Sequence, residues 1–273
     1  MIAAGDITRA LADLGVGPRD TLFVHSGLKG ALRLAGSTRE EKLATLVGGM
    51  RDSVPGGLLI LPTFTYSFTG DTRSPGGSQG AGGEPFDLAT STSTVGVLSE
   101  YFRTLPGVRR TADPLFSCGV LGELPEPWAR RMYRVGDVDV FGEHSIFAML
   151  AELDAKILFI GVDFEFCTYV FHVEQRLRVP YRYFKDFHGT VVDGDVSTAV
   201  TARYYVRDLD SDVVNTFAPL ARDLLAGGDA GSARLDRGPE LFLTSARAVS
   251  AAVARGMASN PDYLLRRGHP ATA

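Results

Sequence analysis

Residues 157–181 read ILFIGVDFEFCTYVFHVEQRLRVPY, and they predict a buried strand followed at once by a helix. The apolar run at 157–162 is typical of a strand covered on both faces. Beyond a short acidic loop, Thr168 and His172 stand four residues apart and therefore share one helix face, and Pro180 ends the helix. Open α/β sheets usually bind ligands at the carboxyl ends of their strands, so we look for a site here first.

Composition narrows the classes of protein that this chain can represent. Its 273 residues, 45% hydrophobic and 22% charged, suit one globular domain, with residues 181–265 expected to form a C-terminal subdomain. The net charge of −4 argues against a nucleic-acid partner. The two widely separated cysteines give no disulfide framework and favour a reducing, cytoplasmic setting. No apolar run approaches the roughly 20 residues of a membrane span, and the first 20 residues lack a secretion signal.

The rest of the chain alternates helix and strand patterns. We predict helices at 5–14, 38–54, 93–102, 146–153, 211–226 and 244–257, strands at 21–25, 58–62 and 157–162, and a hairpin formed by 181–192 and 198–206. Residues 122–140 read as irregular, and Gly-rich residues 69–85 as a loop over the site, since they lack the spacing of a phosphate-binding motif. The expected fold is a three-layer α/β/α sandwich with a mixed central sheet, to which the hairpin and C-terminal helices are added.

Five stretches together resemble the aminoglycoside 3-N-acetyltransferase family. One is the opening stretch, where the family has a strand, Gly-Val, a polar loop, Asn-Thr and a catalytic His. The others are the strand that runs into HSGLK at 25–29, the turn and strand that lead to PTFT at 62–65, FDLATSTSTVG at 86–96, and FGEHS at 141–145. The resemblance implies an α/β acyltransferase that uses acetyl-CoA as co-substrate and a small-molecule amine as acceptor. A homodimer is possible.

The resemblance also implies which residues contact coenzyme A. These are His25, Ser26, Gly27, Leu28, Lys29, Thr63, Ser91, Thr92, Ser93, Val95 and Gly96. For His25 the alternative is a histidine at a strand end whose ring is bonded to the backbone. Gly27 stands where the family usually has a second Ser. Ser93 or Thr94 is the predicted N-cap of the helix that follows, and exposed amides at such a start can bind anions.

Acyl transfer from a thioester to an amine requires a general base, stabilisation of the thioester oxygen and alignment of the two substrates. His172 suits the first task and Thr168 the second, with Glu174 as an orienting carboxylate. The family pattern, however, is Asn-Thr-x-x-His-x-x-Glu. Counted from either Thr168 or Glu174, the catalytic position falls on Phe171. His172 comes one residue late, rotated by about 100° on the helix.

Three explanations of this register remain open. A bulge in the helix brings His172 into the site. Alternatively His172 is structural, and the base is His144 or Glu143, or the amine arrives already deprotonated. In the third explanation catalysis is lost and the protein only binds. Asp113, which stands where relatives often have a His, favours the second and third explanations.

Acidic and aromatic residues near these motifs are candidates for binding the acceptor. Asp163, Glu165, Glu143 and Tyr66 are the predicted substrate contacts, although Asp163 and Glu165 also fit a solvated loop. Cys167 beside Thr168 suggests a thiol nucleophile, but nothing else supports a covalent route. No spacing suggests a metal site.

We therefore predict an acyl-CoA-dependent N-acyltransferase that acts on a primary amine of an amino sugar or natural-product intermediate. The residues of these motifs resemble those of biosynthetic relatives more than those of resistance enzymes. The alternatives are a family member with altered chemistry on a similar substrate, and a catalytically silent module that binds coenzyme A or a carrier protein.

Overall fold

The computed structural model describes residues 1–27, 33–70, 83–208, 213–235 and 238–267. The helices in these ranges are α1 (Ala4–Asp13), α2 (Arg39–Ser53), α3 (Val97–Arg103), α4 (Glu126–Met132), α5 (Ile146–Glu152), α6 (Tyr169–Leu177), α7 (Ala218–Ala226) and α8 (Ala246–Ser259). The strands are β1 (Thr21–Ser26), β2 (Leu58–Pro62), β3 (Phe86–Asp87), β4 (Arg109–Arg110), β5 (Cys118–Leu121), β6 (Val138–Asp139), β7 (Lys156–Ile160), β8 (Arg182–Asp193), β9 (Val196–Arg207), β10 (Val213–Asn215), β11 (Gly231–Arg234), β12 (Glu240–Ser245) and β13 (Leu265–Arg267).

The main sheet has seven strands in the order β11-β12-β7-β1-β2-β5-β4. Strand β1 lies at its centre and pairs in parallel with both β2 and β7, while β12 and β5 pair antiparallel with β7 and β2. The mixed α/β sheet expected from the sequence is confirmed. Because β1, β2 and β7 are parallel, their carboxyl ends meet at one edge of the sheet.

Helices cover both faces of this sheet, as the alternation along β1 shows. Leu22 and Val24 pack into one apolar cluster with residues of α1 and α2, such as Leu46. Phe23 faces the other way, into a second cluster with residues of α5, α6 and α8, such as Phe147. Alternate residues of β1 thus pack into two separate apolar cores, one on each face of the sheet. The result is a layer of helices, the sheet and a second layer of helices.

The predicted hairpin is confirmed. Strands β8 and β9, each 12 residues long, pair antiparallel along their whole length, and Gly194 (φ 57°) makes the turn. Strands β3 and β6 add to its two sides in parallel. The hairpin packs on the ring of Phe68, since a Cβ at Gly189 would lie only 2.5 Å from that ring. Glycine is therefore required at this close approach.

Several boundaries differ from the predictions. Residues 122–140 contain α4 and β6, and Trp128 of α4 is buried, with Nε1 donating to Glu152. The helix predicted from residue 93 begins at Val97, where Gly96 (φ 119°) precedes it and no side chain caps it. In the C-terminal part, α7 starts seven residues later than predicted. The segment between α7 and β12 contains β11, whose pairing with β12 outweighs its weak strand propensity.

In the described part of the chain, none of the helices has both the length and the apolar character needed to cross a membrane. Cys118 and Cys167 are buried and form no disulfide.

Candidate functional site

The loops that follow β1 and β7 are pressed together at the carboxyl edge of the sheet. Gly27 N donates to the carbonyl of Ile160 at 3.0 Å. A Cβ at Gly27 would lie 2.4 Å from Cγ1 of Val162, closer than any real contact. A serine cannot fit at position 27 unless the Val162 side chain moves, which explains why glycine stands there.

The segment 91–96 lies beside the ends of β1 and β2. Thr94 donates to the carbonyl of Phe64 through both its backbone N (2.9 Å) and its hydroxyl (3.1 Å). The Thr65 hydroxyl donates to the carbonyl of Thr92 at 2.8 Å. Gly96 is close to β1, because a Cβ there would be 3.9 Å from the Ser26 carbonyl. Three of the stretches predicted to contact coenzyme are therefore neighbours in space.

Arg110 connects these stretches through its hydrogen bonds, and no sequence motif indicated that role. Its guanidinium donates to the carbonyls of Ser91 and Thr63, to the Thr65 hydroxyl at 2.8 Å and to the Ser117 hydroxyl at 3.0 Å. Burial lowers the pKa of Arg110 to about 10, which still leaves it charged at neutral pH. The cation therefore lies directly behind the 91–96 segment.

The 91–96 segment differs from the simple picture of a helix start that binds anions. The Ser91 hydroxyl accepts from the backbone N of Asp87, and Ser93 N donates to Glu100 Oε2 at 2.7 Å. Helix α3 behind it has only seven residues. Thr92, Thr94 and Gly96 are the exposed members of the segment, and the Thr94 hydroxyl already donates to the Phe64 carbonyl. We correct the prediction accordingly, because any anion held here would be bound by backbone, Thr92 and the charge of Arg110 rather than by a helix terminus.

Two predicted coenzyme contacts are buried. Thr63 is completely buried, with its hydroxyl 3.0 Å from the Ser117 carbonyl, so its side chain cannot touch a ligand here. The His25 ring lies between Phe23 (centroids 4.8 Å apart, edge-on) and Phe159 (5.4 Å, stacked). Its Nε2 has no hydrogen-bond partner in the described chain, so the backbone-bonded interpretation fails for that atom. Burial lowers the pKa of His25 to about 3, which keeps the ring neutral. Leu28 and Lys29 lie outside the described residues.

Helix α6 is uninterrupted from Tyr169 to Leu177, so the bulge proposed for His172 is wrong. His172 is 1% exposed, and its Nδ1 lies 2.7 Å from the carbonyl of Phe141. Burial lowers its pKa. Phe171 takes the position in register with Thr168, half-exposed, with its ring against Phe141 and Phe217. His172 is therefore turned into the protein, and the residue at the expected base position is apolar.

Glu174 is also buried, and its carboxylate contacts only other residues of the protein. Oε1 accepts from the Tyr181 hydroxyl (2.7 Å) and from Asn215 Nδ2 (3.1 Å), while Oε2 lies 2.8 Å from Nη2 of Arg182. That last contact is an ion pair by distance, but its angle does not suit a hydrogen bond, and Nη2 donates instead to Asn215 Oδ1. The Arg182 guanidinium also stacks 4.7 Å from the Phe171 ring centroid.

The acidic loop after β7 is largely structural. Glu165 Oε1 accepts from the Thr216 hydroxyl and from the backbone N of Phe217 and Ala218 (2.8–3.1 Å), which caps the start of α7. These donors engage only Oε1, so the contact of Glu165 with an ammonium stays a prediction, with Oε2 as the oxygen that would make it. Asp163 is exposed and accepts from Glu165 N at 3.0 Å.

Neither Thr168 nor Cys167 stands free in the site. The Thr168 side chain is 8% exposed, with its hydroxyl 3.4 Å from the Phe166 carbonyl. Burial raises the pKa of the Cys167 thiol to about 12, which argues against a thiolate nucleophile.

Two further predicted residues, Glu143 and His144, are exposed and line a cavity of about 1460 Å³ between α4, β6, the 141–146 segment and the end of α6. Asp113 lines the same cavity, half-buried, and its Oδ1 accepts from Leu115 N and Phe116 N. Burial, with a smaller contribution from the charge of Asp139, raises the pKa of Asp113 to about 6.

Tyr66 lies apart from that cavity, half-buried, with its ring against Phe64 and Phe116. Burial raises the pKa of its hydroxyl, so Tyr66 stays neutral. No group of His, Cys, Asp or Glu among the described residues is arranged to hold a metal.

The chain was compared with known families and proteins. The profile of the family described as "Aminoglycoside 3-N-acetyltransferase" matches residues 23–256. Aminoglycoside N(3)-acetyltransferase IV of Salmonella sp is 32% identical over 177 residues, which are 63% of this chain and 58% of the relative. The match therefore spans less than two thirds of that relative's length.

Solved structures share the fold. The structure described as AAC-IIIb binary with CoASH covers 99% of both chains at 24% identity with a TM-score of 0.75. Aminoglycoside acetyltransferase AAC(3)-Xa covers 96% of this chain and 94% of its own at 22% identity, with a TM-score of 0.76. YokD protein from Bacillus subtilis covers 95% of this chain and all of its own at 18% identity, with a TM-score of 0.72.

Proposed function

The chain belongs to the aminoglycoside 3-N-acetyltransferase family, and from this premise we propose that it transfers an acyl group from an acyl-CoA to a primary amine. Acetyl is the simplest acyl group, and an amino sugar or a natural-product intermediate is the acceptor. A relative's structure contains CoASH, and another is described in complex with apramycin. The observation that carries the proposal is the meeting of the 26–27, 63–65 and 91–96 stretches at one edge of the sheet.

The residues at this edge fit coenzyme A. Gly96 leaves backbone open beside Ser26, Thr92 offers an exposed hydroxyl, and the Arg110 cation lies behind the segment. In the reaction the amine nitrogen bonds to the acyl carbon as the carbon–sulfur bond breaks, and the proton lost by nitrogen balances the thiolate that leaves. When bound, the co-substrate supplies the thioester. The protein contributes orientation and exclusion of water.

The reaction needs a general base, and the residue at the family's base position is not one. This favours a second candidate function. Phe171 stands where the family pattern has its catalytic His, and His172 is buried against the Phe141 carbonyl. Three explanations follow: the base is His144 or Glu143, the acceptor is an amine that is already deprotonated at neutral pH, or the chain binds coenzyme without transferring the acyl group. An acceptor that needs no base is a weakly basic amine, whereas aminoglycosides are strongly cationic. We therefore prefer a biosynthetic role over antibiotic resistance. We place the reaction in the cytoplasm, where Cys118 and Cys167 remain thiols.

A thiol-release assay tests the function. The protein is incubated with acetyl-CoA and a panel of amines that spans strongly and weakly basic members, and free thiol is measured. Release that depends on the amine supports transfer. Saturable binding of acetyl-CoA in calorimetry without any release supports the binding module instead. No heat with any coenzyme A derivative contradicts both.

A gain-of-function variant tests the missing base. Phe171→His places an imidazole at the position in register with Thr168, and we expect thiol release with strongly basic amines to rise at least about tenfold. Phe171→Leu is the matched control, since it removes the ring without adding a base. Equal rates for the two variants would contradict the idea that an imidazole at position 171 is what limits the reaction.

A further inference from the structure

The cavity between α4, β6, the 141–146 segment and α6 is separated from the predicted coenzyme segments. Arg109 and Thr111 line it, whereas Arg110 between them turns the other way, to Ser91 and Thr63. At about 1460 Å³ it exceeds the usual volume of a small-molecule pocket, which is roughly 300–1,000 Å³. The cavity can therefore hold a ligand of its own beside the coenzyme.

The lining of the cavity includes one buried hydrogen-bond acceptor that is not satisfied. Gln175 lines the cavity at 5% exposure, and its Oε1 has no partner among the described residues. Its Nε2 donates to Asp139 Oδ1 at 2.8 Å, so the free oxygen and this carboxylate are neighbours. Asp113 is near enough for the charge of Asp139 to raise its pKa. A group with three donors and a positive charge, a primary ammonium, matches this set.

The rest of the lining offers cations that have no carboxylate partner. Five lining arginines have no carboxylate within ion-pair distance in the described chain, namely Arg109, Arg131, Arg134, Arg176 and Arg178. Arg109 and Arg131 instead stack on the rings of Tyr133 and Trp128. By contrast Arg130 is paired with Glu126 at 2.9 Å. Free guanidinium groups beside a cavity suit a carboxylate or phosphate, which they bind with two parallel hydrogen bonds.

Hydrogen bonds within the protein hold the walls of the cavity in place without a ligand. His172 Nδ1 is 2.7 Å from the Phe141 carbonyl, which ties α6 to the 141–142 wall. Asp137 Oδ1 accepts from Thr201 N at 2.7 Å, which ties the 136–139 part of the lining to β9. The free acceptor and the cations therefore line a framework that is already held in place.

We propose that this cavity binds a small molecule that carries both a primary ammonium and an acid group. The ammonium is held by Gln175 Oε1, Asp139 and Asp113, and the acid group by Arg176 and Arg134. The site is separate from the coenzyme segments, so it does not depend on the proposed acyl transfer. Since β4 lies between them, the ligand and acetyl-CoA bind together rather than in competition.

Calorimetry on the full chain without coenzyme tests this with three matched probes. Glucosamine 6-phosphate carries both groups, glucosamine only the amine, and glucose 6-phosphate only the acid. We expect the first to bind at least about tenfold more tightly than either of the others, because each lacks one set of charge-assisted hydrogen bonds. Equal affinity for either single-group probe overturns the pairing of the two groups, and no binding of glucosamine 6-phosphate overturns the site for this class of ligand.

Variants locate the binding. Gln175→Leu removes the free acceptor, and Arg176→Ala removes an exposed cation without touching the core. Each should weaken glucosamine 6-phosphate roughly tenfold, while Arg222→Ala, exposed on α7 outside the cavity, should leave it unchanged. Circular dichroism checks the fold of Gln175→Leu, and Arg176→Ala decides the question if that variant is misfolded. Unchanged affinity in Arg176→Ala, or displacement of the sugar phosphate by acetyl-CoA, contradicts the proposal.

These outcomes are distinguishable from failure of the proposed function. Binding of glucosamine 6-phosphate without thiol release leaves the cavity site standing and argues against transfer. Thiol release with other amines, in a protein that does not bind glucosamine 6-phosphate, supports transfer and removes the cavity site.

Discussion

Replacing His25 with phenylalanine should remove much of the acid sensitivity of this protein. The ring is 6% exposed and lies against Phe23 and Phe159. Its Nε2 has no partner in the described chain, so a proton taken up there would be a buried charge without a counter-ion. Phenylalanine has a similar shape and keeps both ring contacts. The variant thus removes the titration while it retains the packing.

The size of the effect follows from the shift in pKa. Burial lowers the pKa of His25 from 6.5 to about 3, a difference of about 3.5 units. At about 1.4 kcal/mol per unit this is up to about 5 kcal/mol of unfolding free energy. Above pH 6.5 both states are neutral, and the contribution is complete. As the pH falls from 6.5 to about 3, the unfolded chain binds the proton and the native state does not, so stability is lost.

Urea unfolding at about pH 7.5, 6 and 5, followed by Trp128 fluorescence, measures this. Between pH 6 and 5 the wild type should lose about 1 kcal/mol more than His25→Phe, because the slope for one proton is at most about 1.4 kcal/mol per pH unit. His188→Phe, exposed on the hairpin, is the control and should follow the wild type. Parallel curves for the wild type and His25→Phe would show that the ring is not kept neutral in the native state.

Three further variants test the buried charges and a helix start. Glu174→Gln leaves Arg182 buried without its counter-charge and should cost about 3–5 kcal/mol in urea unfolding, and adding Arg182→Met should recover much of this loss; no cost would contradict the pair. Asp113 has a pKa raised from 3.8 to about 6, so its stabilising contribution is complete below pH 3.8 and lost as the pH rises through 6. Asp113→Asn should therefore be more stable than the wild type at pH 7.5, by up to about 3 kcal/mol, with no gain at pH 4. An equal gain in stability at both pH values would refute this reasoning. Thr38→Ala removes the hydroxyl that accepts from Glu41 N and should cost about 1 kcal/mol in the same assay, whereas Thr38→Ser should not.

Features set by neighbours in sequence were predicted well. The capping box at Thr38 and Glu41 forms as expected, with Glu41 N donating to the Thr38 hydroxyl at 3.1 Å. Strand β2 has the predicted bounds, because a turn of Pro55 and two glycines marks its start and the apolar run marks its length. Such signals are local, so a short window of sequence contains all of the physics that decides them.

The elements that the sequence did not reveal depend on distant partners. Strand β11 is short and begins with three small residues, and its pairing with β12 makes it a strand. Glu165 lies in a loop that looks solvated, but its oxygen caps α7 about 50 residues further along. Nothing near Glu165 in sequence indicates those donors.

The candidate site likewise has some features that could be predicted from the sequence and others that depend on distant residues. The spacing from Thr168 already placed Phe171 at the base position, and the regular helix agrees with that register. The role of Arg110 could not be predicted, because the sequence does not indicate which of the two adjacent arginines turns toward Ser91. Burial of the Thr63 hydroxyl likewise depends on Ser117, which comes 54 residues later.

Strand β12 has a consequence for how the nascent chain acquires its structure. It occupies an interior position of the main sheet, beside β7, yet about 80 residues separate the end of one from the start of the other. At roughly 5–20 residues per second, the ribosome takes about 4–16 s to cover that interval. During this time the hydrogen-bonding edge of β7 has no neighbour on that side and offers a template for unwanted strand pairing. Ribosome-associated chaperones would therefore have their greatest effect on chains stalled between residues 160 and 240.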